Sequence, residues 1–111
     1  MENEVQNYFK EFVKSTQKMA QDIPDVVKSF QGLVEKSLAP GALDTKVKEF
    51  VALGILAYKG AAKEVLAAHI KRAMDNGATK EELVEVLETT TLPGGAPTLF
   101  NGLKALLDVI K

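Results

Sequence analysis

The chain has 111 residues, of which 46% are hydrophobic and 26% are charged, a composition typical of one globular domain. Its 14 basic and 15 acidic residues give a formal net charge of -1, and the two signs alternate, so there is no basic stripe for nucleic acid. The chain has no cysteine, which excludes disulfides, thiolate metal sites and thiol catalysis.

Membrane insertion and secretion are also not expected. The longest apolar run, residues 50–58, is far shorter than the ~20 residues that span a bilayer. The opening sequence MENEVQNYFKE is acidic and lacks the apolar block of a signal peptide. We therefore expect a cytoplasmic protein that makes no membrane contact.

The first half of the chain has the pattern of amphipathic helices. Apolar residues at three- and four-residue steps predict a helix over residues 2–20. Pro24 suits the first turn of a second helix, over residues 24–37. After the turn LAPG, the Asp44 side chain is suited to cap a third helix.

The third helix is expected to run to Lys59 and to be the most buried element, because it is apolar almost all round over residues 50–58. Gly60 then separates it from a fourth helix, over residues 61–75. The sequence DNG after this helix predicts a glycine-terminated end.

Two further helices complete the prediction. Thr79 and Glu82 fit a capping box at the start of a fifth helix, which should stop at LPGGAP. A sixth helix is predicted over residues 97–110. Since no segment alternates with period two, we predict an all-α fold of about six helices in a single domain, residues 1–111.

The chain's one histidine, His69, lies on the inward face of the fourth helix, four residues from both Val65 and Ala73. It is either a locally satisfied packing residue or a functional one. Small neighbours such as Ala62 leave space, so we expect a partly solvent-reached cavity beside the ring. A lone imidazole without cysteines is a poor ligand set, and neither a metal nor a cofactor is expected.

Two glutamates are candidate partners of His69. Glu49 borders the apolar block of the third helix, where it is either solvated or shares a proton with His69 and sets its tautomer. Glu64 lies five residues before His69, about 500° round an ideal helix, so it is expected to point away. The candidate catalytic residues are therefore His69, Glu49 and Glu64.

The order of motifs over residues 42–107 resembles the carboxymuconolactone decarboxylase and alkylhydroperoxidase D family. The shared features are an opening LD.K..E..AL, a helix ending in H...A...GAT.EE, the sequence EVL and a late GG.P turn. The resemblance implies an all-helical domain that assembles into trimers or hexamers. It also implies a site where the helix bearing His69 meets the helix bearing Glu49.

Two departures from the family pattern affect its chemistry. The peroxidase branch carries a CxxC pair before the histidine, and counting back from His69 places Ala62 and Val65 at those positions. Thiol peroxidase activity needs an attacking thiolate and a resolving sulfur, so this activity is not expected. Glu49 precedes His69 by one residue more than is usual in the family, which predicts an irregular joint near Gly60.

Two functions stay open, and the sequence does not decide whether the protein is an enzyme. The favoured one is a ligand-binding or scaffolding homo-oligomer, a trimer or hexamer without redox function. The alternative is a cofactor-free decarboxylase or lyase acting on a small carboxylated lactone-like acid, with His69 as general acid/base and Glu49 or Glu64 orienting it. That reaction needs cationic groups, and the single arginine, Arg72, is interpreted as lying off the His69 stripe.

Overall fold

Helices alone make up the regular structure of residues 14–110, the part of the chain that the computed structural model describes. Their bounds are α1, residues 14–22 of the described part; α2, Pro24–Leu38; α3, Thr45–Lys59; α4, Lys63–Asp75; α5, Lys80–Gly94; and α6, Ala96–Ile110. The all-α prediction is confirmed. The predicted helix over residues 2–20 lies partly outside the described residues.

No helix within residues 14–110 combines the length and the apolar character that a membrane span requires. The cytoplasmic location stays a prediction.

The predicted caps hold the starts of α3 and α5. The Asp44 carboxylate accepts a hydrogen bond from the Val47 backbone N–H at 2.9 Å. At α5, the Thr79 hydroxyl accepts from the Glu82 backbone N–H at 3.0 Å, and the Glu82 carboxylate accepts from the Thr79 N–H at 2.9 Å. Both caps satisfy backbone donors that a helix start otherwise leaves unpaired.

The joint between α3 and α4 is irregular, as predicted. Gly60 ends α3 in the left-handed conformation, with φ 74°, and the Ala61 N–H donates to the Leu56 carbonyl at 3.0 Å. Ala62 is extended, so α4 begins at Lys63, two residues later than predicted. The break allows α4 to turn back and pack along α3.

The prediction that α5 stops at LPGGAP is confirmed. The helix continues through Pro93 to Gly94, and Gly95, with φ 84°, ends it. Pro93 has no backbone N–H, so it removes one intrahelical hydrogen bond from this last turn. The Gly95 N–H donates to the Thr91 carbonyl at 2.7 Å, and α6 follows at once.

The hydrophobic core lies among α3, α4, α5 and α6. Its largest fully buried apolar side chains are Leu53, Leu66, Ile70, Leu83, Leu87 and Leu106. Helices α5 and α6 approach closely at Gly102, where an added Cβ would collide with the Leu87 side chain. This approach requires a residue without a side chain.

Helix α3 is less buried than predicted. Leu53 and Ala57 face the core, but Val51, Ile55 and Tyr58 on the opposite side are exposed. The prediction that α3 is the most buried element is therefore wrong for this outer side. Within the described chain, α4, α5 and α6 cover only the inner side of the helix, and no element covers the other.

Two glycine substitutions should have opposite effects on stability. Gly60→Ala should destabilise the fold by about 1–2 kcal/mol, because an L-residue is strained in the left-handed conformation. Gly32→Ala should stabilise it by about 0.5–1 kcal/mol, because Gly32 lies inside α2 with open space around its Cβ position. Urea unfolding of both variants would measure this, and equal effects would contradict the assignment of the joint.

Acid should weaken the α5 capping box. The pKa of Glu82 lies below its ordinary value of 4.5, chiefly because the Thr79 backbone N–H donates to the carboxylate and also because Lys46 donates to it at 3.0 Å. The charged carboxylate therefore adds stability above pH 4.5, and this stability is lost as the pH falls through the lower folded-state pKa.

Glu82→Gln should reduce the free energy of unfolding at neutral pH and flatten its decline below pH 4.5. Urea unfolding of both proteins across a pH series measures the difference. Parallel curves for the two proteins would show that the charge of Glu82 adds nothing to the cap.

Candidate functional site

Three side chains from α3 and α4 form one hydrogen-bonded cluster. Glu49 Oε1 lies 2.8 Å from His69 Nδ1, and Glu49 Oε2 accepts from Arg72 Nε at 2.8 Å. The Arg72 guanidinium also contacts the His69 ring. The cluster joins residues that are far apart in sequence, and we call it the Glu49–His69–Arg72 cluster.

Glu49 is the buried centre of this cluster. It precedes Leu53 by four residues and Ala57 by eight, so it lies on the inner side of α3, and its side chain is 0% exposed. A carboxylate removed from water is costly unless it is paired and hydrogen-bonded. Each of its oxygens has one nitrogen partner, so the possibility that Glu49 is a solvated edge residue is excluded.

The contact with Glu49 sets the tautomer of His69. A carboxylate that is ionised beside a guanidinium accepts hydrogen bonds, so Nδ1 of His69 carries the proton and donates it. In the neutral ring, Nε2 then keeps its lone pair. The His69 side chain is 18% exposed, and solvent therefore reaches it.

Arg72 lies over the face of the imidazole. Its Nη2 atom is 3.2 Å from His69 Nδ1 and 3.4 Å from Nε2. An atom nearly equidistant from both nitrogens cannot lie in the ring plane, because it would collide with the Cε1–H group between them. Nη2 therefore lies over the face of the ring, and arginine commonly contacts aromatic rings in this way.

Arg72 is also the exposed member of the cluster. Its side chain is 46% exposed, although Nε is fixed on the buried Glu49. Among the described residues, the guanidinium donates a hydrogen bond to Glu49, and its other polar contact is with the His69 ring. Its outer edge can therefore bind an anion while its inner edge remains paired.

The structure unites two of the three predicted site residues. Glu49 and His69 are in contact, but half-buried Glu64 lies in the first turn of α4 and takes no part in the cluster. Arg72 lies off the buried stripe, as interpreted, but its long side chain reaches Glu49 and the His69 ring. His69 and Arg72 are three positions apart, a spacing that places side chains on neighbouring surface of a helix, and this spacing could have identified Arg72.

The cavity expected beside the His69 ring stays a prediction. Two of the surface depressions of the described chain lie elsewhere, one between α4 and α6 beside Lys63 and Leu107, the other along α5 beside Glu81 and Glu85. Neither is lined by a member of the cluster. Within residues 14–110, no three His, Asp or Glu side chains are grouped to hold a metal ion.

Residues 24–108 match the model of the carboxymuconolactone decarboxylase family. The chain belongs to this family. The match begins earlier than the resemblance found in the sequence, since it includes α2. A similar solved structure is that of an apo carboxymuconolactone decarboxylase family protein from Legionella pneumophila, with a TM-score of 0.89 and 26% identity over 98% of this chain and 96% of that one.

Two relatives are similar to the chain over most of their length. An uncharacterized protein of Cupriavidus necator is 34% identical over 88 residues, which cover 79% of this chain and 77% of that protein. An uncharacterized protein of Methanocaldococcus jannaschii is 30% identical over 107 residues, covering 96% of this chain and 97% of that protein.

This carboxymuconolactone decarboxylase family member has the glutamate and histidine of its cluster but no cysteine. Ala62 lies at the N-terminal cap of α4, and Val65 lies one turn before His69 on the same helix. Neither side chain can form a thiolate. The chemistry available to the site is therefore hydrogen bonding, proton transfer and charge.

Arg72→Ala should destabilise the protein by about 1–3 kcal/mol, because the buried Glu49 carboxylate loses a charge-assisted donor. Lys71→Ala is the matched control on the same helix, since Lys71 and its partner Asp75 are each 61% exposed. That change should cost less than about 0.5 kcal/mol. Urea unfolding measures both, and equal losses would contradict the role assigned to Arg72.

Proposed function

We propose that the protein binds a small organic acid at the Glu49–His69–Arg72 cluster and that His69 acts there as a general acid/base. The reaction class is a cofactor-free decarboxylation or lyase reaction on a carboxylated lactone-like acid. The observation that carries this proposal is that the Glu49 carboxylate binds two partners: one oxygen contacts His69, and the other accepts a hydrogen bond from Arg72.

The two hydrogen bonds of the Glu49 carboxylate support acid–base catalysis because they hold the His69 ring and the Arg72 guanidinium in position. Glu49 holds the Nδ1–H of His69, so the lone pair of the neutral ring lies on Nε2, and the side chain is 18% exposed. The same carboxylate stabilises the imidazolium that forms when Nε2 takes a proton. A base oriented by a buried carboxylate is more effective than a free imidazole for this reason.

The proposed reaction needs a cationic group to bind the substrate carboxylate, and Arg72 supplies it. The outer edge of its half-exposed guanidinium can pair with a substrate carboxylate that is retained in the reaction. Since Arg72 Nη2 is 3.4 Å from His69 Nε2, an acid bound to the guanidinium would lie close to Nε2. The guanidinium would therefore bind one end of the substrate, and the other end would lie beside His69 Nε2.

The proposed decarboxylation is balanced without a cofactor. The bond from carbon to the departing carboxylate breaks, its electron pair moves onto a conjugated carbonyl as an enolate, and CO₂ leaves. Protonated His69 then gives the proton on Nε2 to that carbon. A proton from water then returns to Nε2. Glu49 stays ionised throughout and acts as the positioning residue.

A non-catalytic, ligand-binding or scaffolding homo-oligomer, trimeric or hexameric, is the second candidate. It is favoured because catalytic sites are usually concave and neither the depression beside Lys63 nor the one beside Glu81 is lined by the cluster. In that case the cluster would serve to fasten α3 to α4. Thiol peroxidase activity is not proposed, since the chain has no cysteine.

The test compares the wild type with His69→Asn and His69→Leu, using a panel of carboxylated lactones. NMR in D₂O follows both loss of CO₂ and exchange of carbon-bound protons. We expect turnover by the wild type, and both folded variants should lose it by a factor of ~10² or more, the usual contribution of a positioned acid/base.

Glu64→Gln is the matched control, because Glu64 is on the same helix but outside the cluster. It should retain full turnover. Full activity in His69→Leu would contradict the proposal. Binding of the acids without turnover or exchange in the wild type would favour the second candidate.

A further inference from the structure

The chain contains two Asn-Gly dipeptides, and the structure places them in different surroundings. Asn76 and Gly77 follow α4, and both residues are exposed. Asn101 and Gly102 lie inside α6, where the asparagine is half-buried and the glycine is buried. Asparagine before glycine is especially prone to deamidation, because glycine has no side chain to hinder the attack of its backbone nitrogen on the amide. The two dipeptides can therefore be compared within one chain.

The closed C-terminal turn of α4 prevents this reaction at Asn76. The ψ of 20° places the Gly77 nitrogen close to eclipsing the Asn76 backbone nitrogen, and therefore away from the side-chain amide that it must attack. The Gly77 N–H donates to the Met74 carbonyl at 3.0 Å, so this nitrogen is not available as a nucleophile. Asn76 Nδ2 also donates to the Arg72 carbonyl at 2.8 Å. Deamidation thus requires the last turn to open.

The end of α4 can open without unfolding the core. Proteins open locally at free energies that range from near zero at fraying ends up to the global free energy of unfolding. The turn at Asn76 and Gly77 is exposed, and Gly77, with φ 96°, has no side chain that packs. Ala78, which is 8% exposed, is the next residue that joins the core. The segment that must move is therefore short, and its movement leaves the core packed.

The second dipeptide, Asn101 and Gly102, cannot open in this way. Gly102 lies so close to the Leu87 side chain that an added Cβ would collide with it. The backbone at this point is in the interior of α6, where N–H groups bond within the helix. Rotation of the peptide after Asn101 would separate α6 from α5. Asn101 should therefore react only when the whole domain unfolds.

We propose that Asn76 is a deamidation site of the folded protein. In the open turn the Gly77 nitrogen bonds to Asn76 Cγ, the Cγ–Nδ2 bond breaks, and the proton of the Gly77 N–H leaves with the side-chain nitrogen as ammonia. Water then opens the cyclic imide at either carbonyl, which gives aspartate or isoaspartate. The inference concerns the end of α4 and does not depend on the chemistry proposed for the Glu49–His69–Arg72 cluster.

The product has a negative charge at the end of a helix that disfavours it. The new carboxylate replaces the amide that donated to the Arg72 carbonyl, and an ionised carboxylate cannot donate. The C-terminal end of α4 already has a partial negative charge from its carbonyl groups, and Asp75 adds a further charge there. Deamidation should therefore weaken the last turn of α4, the turn that contains Arg72.

Peptide mapping measures both sites in one sample. Cleavage after lysine and arginine separates residues 73–80, whose only side-chain amide is Asn76, from residues 81–104, whose only one is Asn101. The full chain is aged at neutral pH, both folded and in guanidinium chloride, and mass spectrometry follows the conversion of amide to acid. In the folded protein we expect Asn76 to convert at least about tenfold faster than Asn101, and in guanidinium chloride the rates should be similar.

Asn76→Gln is the matched control, because glutamine keeps the amide but forms a cyclic imide far more slowly. In this variant residues 73–80 should show no conversion. Asn76→Asp should have a lower urea midpoint at neutral pH than Asn76→Ala, which loses the same donor without adding a charge. Retention of the Asn76 amide in the folded wild type while both sites convert in guanidinium chloride, or equal rates at the two sites in the folded protein, would overturn the proposal.

Discussion

The burial of one carboxylate governs the arrangement of α3 and α4. Glu49 lies on the core side of α3, where water cannot solvate it, so its two oxygens must be satisfied by protein donors. Both donors come from α4, at positions one helical turn apart. The packing of these two helices and the orientation of the imidazole therefore depend on the same two hydrogen bonds.

Local sequence signals predicted much of the fold. Asp44 and the pair Thr79 and Glu82 identified two helix starts because a cap depends on residues three positions apart. Gly60 identified the joint because few residues other than glycine adopt its conformation readily. The sequence LPGGAP identified the end of α5 because it contains Gly95, which readily adopts the positive φ found at the end of this helix.

The site was only half predictable, for a physical reason. Helical periodicity shows which way a Cβ points, and it correctly placed His69 on the inner part of α4. It says little about a long side chain, and Arg72 reaches round the helix surface to Glu49. The exposure of the outer side of α3 could not be predicted either, because periodicity marks an apolar surface without showing what covers it.

The central claim is that Glu49 holds His69 as the Nδ1–H tautomer and leaves Nε2 free to exchange protons. Since His69 is the one histidine, a long-range ¹H–¹⁵N NMR spectrum of labelled protein reports its ring without overlap. At a pH where the ring is neutral, we expect the pattern of a protonated Nδ1 and an unprotonated Nε2, and Glu49→Gln should shift it toward the opposite tautomer. A protonated Nε2 in the neutral wild-type ring would contradict the account.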